Sequence, residues 1–379
     1  MKIRTILLSI FTVSFFACES NVEEPSLQIP DTYTFERDNV STVNYSGQTE
    51  RLNMTTEIKN YIASANAGTS LSLEKLLNMY TNTGSAFSSA ELNSSTKKLE
   101  DKTNPAEVNF IKTILNQAAT VSNQVAQNRT IASAGVAGLI ERGTSGNFIL
   151  VNEKGWEFKE MFEKGIMGAV FYHQIFNVYL SESKTGNGVE NTLLEEGKNY
   201  TAMEHHWDEA FGYWGVPTDF PNGNPVLDDS HRRFWATYTN GRNELLQVNE
   251  PLMKAYITGR AAIVAKNYAL RDAQKEIIID LHELVAAATA IHYINSSMNS
   301  LSKGDTGSML HTLSETYGFV KALQFSPRKK ISTQEINLIL TQDMGENGDF
   351  WKVTMQGLTQ AKTRLSNAYP ELKSIQDVL

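Results

Sequence analysis

Apolar residues recur along most of this chain at three- and four-residue intervals, and that spacing predicts a helical protein. Leu52, Ile58, Tyr61, Ile62 and Ala65 fall on one helical face over 49–65. Asn104-Pro105-Ala106-Glu107 reads as a helix start: Asn caps, Pro sits where its missing N–H costs nothing, and Glu follows three residues after the cap. That helix runs to about Val125. Gly155 to Leu180 is strongly apolar and reads as a central core helix, about 37 Å long at the usual rise per residue. Thr201-Ala202-Met203-Glu204 has the form of a capping box and opens a helix to Trp214. Helical spacing continues over 231–246, 250–268, 270–301, 308–323, 333–341 and 349–369. Three stretches break the pattern. Short β-like pieces between Tyr33 and Tyr45 predict a small N-terminal hairpin, residues 132–152 carry four glycines and read as irregular, and residues 215–230, with three prolines and two glycines, read as a long loop. The fold class expected is all-α: one multi-helix bundle, or two packed bundles, over 33–379 with at most that one hairpin.

The N-terminus follows a different logic. Lys2 and Arg4 precede an apolar run of 11 residues, Ile6 to Phe16, then Ala17 and Cys18. A membrane span needs about 20 residues, so residues 1–17 read as a secretory signal peptide. Cys18 is the only cysteine in the chain. Its place after a small residue predicts cleavage before it and acylation of its sulfur, with palmitate among the chains. The mature protein would then be a lipoprotein, anchored to a bacterial envelope membrane through its N-terminal lipid. That places it at the outer membrane or periplasmic face rather than in the cytoplasm. One acyl chain binds a bilayer weakly, and several hold firmly. Residues 18–32 carry two prolines and no periodicity, and read as a flexible linker.

Composition narrows the chemistry. Hydrophobic residues make up 41% and charged residues 20%, enough apolar material for a sizeable core, and the net charge of −8 with no basic cluster argues against a nucleic-acid partner. With the one thiol committed to lipid, any metal must be held by His, Asp or Glu. The densest polar group is Glu204-His205-His206-Trp207-Asp208-Glu209. On a helix, His205 and Glu209 stand four apart and His206 and Glu209 three apart, so either pair can supply ligands from one face, with Asp208 beside them. Imidazole and carboxylate suit iron, zinc or copper. Two adjacent histidines cannot point the same way, so one is a supporting group. The plainer alternative is a solvated helix face. His311 and Glu315 form a second pair four apart, on a helix whose apolar face is Leu310, Leu313, Tyr317 and Val320. His282-Glu283 begins like a zinc-peptidase motif, but Ala286 stands where its second histidine belongs. His173 and His292 lie in apolar helices and read as satisfied core histidines. The chain has neither a G-x-S-x-G elbow nor a phosphate-binding P-loop.

The stretches Tyr45 to Leu52, Gly197 to Tyr213 and His311 to Phe319 resemble a family of bacterial lipoproteins of uncharacterised function that is similar to the imelysin-like proteins. The resemblance implies a helical, exported protein associated with iron uptake. The imelysin-like hallmark G-x-H-x-x-E would put its histidine on His206 and its glutamate on Glu209, with Glu204 in the glycine position. The function expected is a lipid-anchored protein that binds a metal ion or metal complex, with iron or zinc as the cation. The candidate ligands are His206, Glu209, His205, Asp208, His311 and Glu315. The alternatives are a metallopeptidase using Glu209 as general base, and a non-catalytic protein that binds another envelope protein.

Overall fold

A computed structural model describes residues 26–221 and 233–379. The expected leader, Cys18, the linker up to residue 25 and most of the loop at 215–230 lie outside the described residues. The described residues fold as helices α1 (Ser46–Ser64), α2 (Leu73–Thr81), α3 (Ala90–Ser94), α4 (Val108–Asn128), α5 (Phe158–Ile166), α6 (Glu182–Thr185), α7 (Ala202–Trp214), α8 (Trp235–Leu246), α9 (Asn249–Val264), α10 (Tyr268–Ser302), α11 (Thr306–Ala322), α12 (Thr333–Leu338) and α13 (Met355–Ala368), of which α2, α3 and α6 lie outside the stretches expected to be helical. The protein is all-α, a multi-helix bundle with two small two-stranded sheets. Caps set several helix starts. The Thr201 side chain accepts from the Glu204 N–H and Glu204 reaches back to the Thr201 N–H, while Asp305 accepts from the Ser308 N–H to open α11.

Helix α10 is the axis, packed by α9, α11, α8 and α13. Its run of Val285, Ala286, Ala287 and Ala288 is fully buried, and such small side chains let neighbouring helices approach closely. The helix is long and apolar enough to cross a membrane, but 67% of that stretch is buried inside the protein, as expected of a core helix. The buried apolar residues form one continuous cluster running from Tyr33 to Leu379.

The structure departs from the sequence pattern in three places. Helix α4 starts at Val108, because the Asn104 side chain accepts from the Ala106 N–H and closes a turn ahead of the helix. The long apolar helix starts at Phe158 and widens into two π-helical stretches, Met167–Tyr172 and Gln174–Tyr179. The glycine-bearing segment at 132–152 is a hairpin, not irregular chain: β3 (Gly138–Arg142) pairs antiparallel with β4 (Asn147–Val151), from Gly138↔Val151 to Arg142↔Asn147. It stands in addition to the expected N-terminal hairpin of β1 (Glu36–Arg37) and β2 (Val40–Ser41). The glycines that obscured it turn the chain, with Gly143 and Gly146 at φ of 62° and 77°.

One helix crossing leaves no room for a side chain. Helices α5 and α11 meet backbone to backbone at Gly318, where an added Cβ would lie 2.0 Å from Lys164 Cβ. Ahead of α5, Gly155 has φ of 82° and an added Cβ would lie 2.6 Å from Leu310 Cδ2. Only glycine fits both demands at that position.

Candidate functional site

The polar face of α7 divides into two environments. Asp208 is fully buried. Its Oδ1 accepts from the Tyr33 hydroxyl at 2.8 Å and from Arg260 Nε at 3.0 Å, and its Oδ2 accepts from the Asn44 N–H at 3.1 Å. Glu204 faces the same guanidinium at 3.2 Å and receives Arg37 at 3.0 Å. These carboxylates clasp the N-terminal segment, in which the Tyr33 ring stacks on Phe211 at 3.8 Å. Both Asp208 oxygens are thus committed to protein donors. On the other side, His206 Nδ1 lies 3.1 Å from Glu209 Oε2, and Gln48 Nε2 donates to Glu209 Oε1 at 3.0 Å. His205 stacks on Tyr200 at 4.6 Å and keeps its Nε2 4.0 Å from Glu209. Burial alone would raise the Glu209 carboxyl. The His206 hydrogen bond, the His205 charge and Gln48 outweigh it and hold the group below the usual range.

His311 and Glu315 belong to a separate group. Among the described residues they share no hydrogen bond or ion pair with the α7 set. They lie one turn apart on α11 and face the start of α5. Glu157 immediately precedes α5, without a side-chain capping bond, and Glu160 follows within the first turn. His311 Nδ1 lies 2.6 Å from Glu157 Oε2 and 3.9 Å from Glu160 Oε1, and on the far side of the ring Nε2 lies 3.4 Å from Glu315 Oε1. One donor atom from each of Glu157, Glu160 and His311 falls within 4.8 Å of the others. The backbone holds this register: the Ser314 hydroxyl accepts from the Glu157 N–H at 2.9 Å and donates to the Leu310 carbonyl at 2.8 Å. The close crossing at Gly318 does the rest.

Lysines share the cluster. Lys164 Nζ lies 2.8 Å from Glu160 Oε2 and 3.4 Å from Glu163, and Lys159 pairs with Glu160 Oε1. Burial opposes ionisation of Glu160, but Lys164, Lys159 and His311 hold it far below the ordinary carboxylate range. Burial would also lower His311, and the Glu157 hydrogen bond with the charges of Glu157, Glu160 and Glu315 raises it instead. Glu315 is pushed up to about 6 by burial and the Glu160 charge, against the pull of Lys164 and His311. The group opens into a cleft of about 440 Å³ whose wall includes Lys59, Glu160, Lys164, Arg233, His311 and Glu315.

Glu157 and Glu160 escape a reading by pattern because they sit at the start of a strongly apolar stretch. What marks them is Gly155-Trp156-Glu157-Phe158-Lys159-Glu160, a glycine and two carboxylates at fixed spacing. The donor set itself, two carboxylates and an imidazole, suits iron, zinc or manganese. With Nδ1 toward the carboxylates, the opposite ring nitrogen faces Glu315, the arrangement that fixes tautomer and ring orientation in metal-binding histidines.

Fold and cleft together define an all-helical domain with a buried histidine–carboxylate cluster open to solvent through one cleft. The chain belongs to the family described as a domain of unknown function (DUF4856), whose profile matches residues 30–370. No curated protein and no solved structure matches the chain.

Proposed function

We propose that this protein is a lipid-anchored, exported binding protein for a divalent transition metal, held by Glu157, Glu160 and His311 with Glu315 orienting the imidazole. The observation that carries the reading is the convergence of those three donors within 4.8 Å beside a cleft. Metal–ligand bonds of about 2.0–2.2 Å put neighbouring ligands roughly 3–3.5 Å apart. The Glu157 contact at 2.6 Å and the Glu160 contact at 3.9 Å therefore bracket the required spacing and need only side-chain adjustment. The ion would enter where His311 and the ammoniums of Lys159 and Lys164 now face the carboxylates. Binding would displace those ammoniums from Glu160 and requires the ligating nitrogen of His311 to be unprotonated.

The α7 group offers fewer free donors, since Asp208 is spent on Arg260 and Glu209 already accepts from Gln48. The spacing Gly155-x-Glu157-x-x-Glu160 also repeats that of the imelysin-like G-x-H-x-x-E, with glutamate in place of histidine, and it keeps the glycine that the α7 stretch lacks. This supports a metal-related role akin to the resemblance drawn from the sequence. The expected leader at residues 1–17, followed directly by Cys18, supports the anchor.

The test is calorimetric titration of the detergent-solubilised full chain with Zn²⁺ and with Fe²⁺ under reducing conditions. His311→Ala and Glu157→Gln should each weaken binding at least about tenfold, the usual cost of losing a ligand or its support. His206→Ala should bind as the parent does. Loss of binding in His206→Ala with retention in His311→Ala would move the site to α7 and overturn this assignment.

A further inference from the structure

The cleft is lined by cations as well as carboxylates, and those cations are unevenly paired. Lys59 has Glu163 at 3.2 Å, and Lys164 has Glu160 and Glu163. Arg233 has no carboxylate partner among the described residues. Its Nη1 donates to Asn53 Oδ1 at 2.7 Å and its Nη2 to Thr56 Oγ1 at 3.2 Å, both neutral groups on α1. Its guanidinium lies 5.8 Å from the centre of the Phe234 ring, and the Lys59 ammonium lies 5.4 Å from the same centre. Arg142, at the end of β3, also lines the cleft, and its charge acts as well on the Asp305 carboxylate. Burial without a counter-charge lowers the Arg233 pKa to about 10. A partly buried guanidinium held in place by neutral acceptors keeps donors free for an anion, and its planar fork matches carboxylate and phosphate oxygens.

We infer that the cleft contains a second subsite, formed by Arg233 with Lys59 and Arg142, which binds a small oxyanion, a carboxylate or a phosphate group. The cleft, at about 440 Å³, has room for such an anion together with an ion at the His311 end. The full ligand is then an anionic metal chelate rather than a bare cation. That last step rests on the metal reading, whereas the anion subsite stands without it.

The experiment is calorimetry on the detergent-solubilised full chain with inorganic phosphate and, separately, with citrate, first in chelator and then with Zn²⁺ present. The parent should bind at least one of the two without metal, and which one binds tells phosphate from carboxylate. Arg233→Gln should lose about tenfold in that affinity and Lys59→Gln should also weaken it, as expected for losing a charge-assisted bond. Arg233→Lys should recover part of the loss. His311→Ala should leave metal-free anion binding unchanged. With Zn²⁺, anion and metal should strengthen each other's binding in the parent but not in Arg233→Gln. If neither anion binds the parent, or if Arg233→Gln and Lys59→Gln bind as well as the parent, the inference is overturned. Anion binding with no response to Zn²⁺ would keep the subsite and overturn the chelate, leaving the metal reading to the Zn²⁺ titration of the parent and His311→Ala. Circular dichroism of each variant separates unfolding from loss of the site.

Discussion

At the scale of single residues, burial decides what each charge or histidine can do. Arg260 is fully buried between Asp208 and Glu204. Removing it leaves Asp208 in the interior without a counter-ion, while Glu204 keeps only Arg37. Arg260→Met should cost about 3–5 kcal/mol in urea unfolding. Lys275→Met, which breaks the exposed pair with Glu182, should change stability by less than about 1 kcal/mol. His282 makes the same point through pH. It is fully buried, its Nε2 lies 3.0 Å from the Tyr256 hydroxyl, and burial pushes its pKa down to about 3. In the unfolded chain the ring protonates near pH 6.5. The unfolded state therefore takes up the proton first, and stability present above that pH is lost as pH falls toward the folded value. Between pH 7 and pH 5 this one group should remove about 2 kcal/mol. His282→Gln keeps a hydrogen-bonding partner for Tyr256, and urea unfolding at the two pH values should show that much less difference than the parent.

At the scale of elements, the crossing of α5 and α11 makes the site. Alanine normally favours a helix over glycine by about 1 kcal/mol. At Gly318 that gain is outweighed, because the new methyl would meet Lys164 Cβ at 2.0 Å and overpacking costs about 1–3 kcal/mol. Gly318→Ala should therefore lower Tm. By prising α5 from α11 it should also weaken metal binding, although Gly318 touches no ligand. Gly241 in α8 is the control: an added Cβ there meets nothing within 4 Å, so Gly241→Ala should raise stability by about 0.5–1 kcal/mol. Thermal unfolding of the two variants, with opposite signs expected, checks the argument. Element type was largely legible in the sequence. The capping box at Thr201 and the apolar periodicity pointed to the right helices, because those signals act over one or two turns. The hairpin at 138–151 was not legible, because turn glycines interrupt an alternation only a few residues long.

For the whole molecule, the proposed anchor and the proposed metal site are expected to act separately. Cys18→Ala should abolish palmitate labelling and release the protein from the membrane fraction, while the purified variant binds Zn²⁺ as the parent does. Bound metal should stabilise the fold by mass action, about 2.7 kcal/mol at a hundredfold excess over Kd, and chelator should reverse the corresponding rise in Tm. His311→Ala should show no such rise in calorimetric scans. Local pattern was enough to settle the helical class, because caps and periodicity are written in neighbouring residues. It also picked out His311 and Glu315 as a pair on one face. Only the tertiary structure decided that Asp208 is spent on Arg260, contributed from another helix, and that Glu157 and Glu160 meet His311 across some 150 residues of chain. Those outcomes depend on how closely two helices can pack, which a glycine permits but which no local pattern announces.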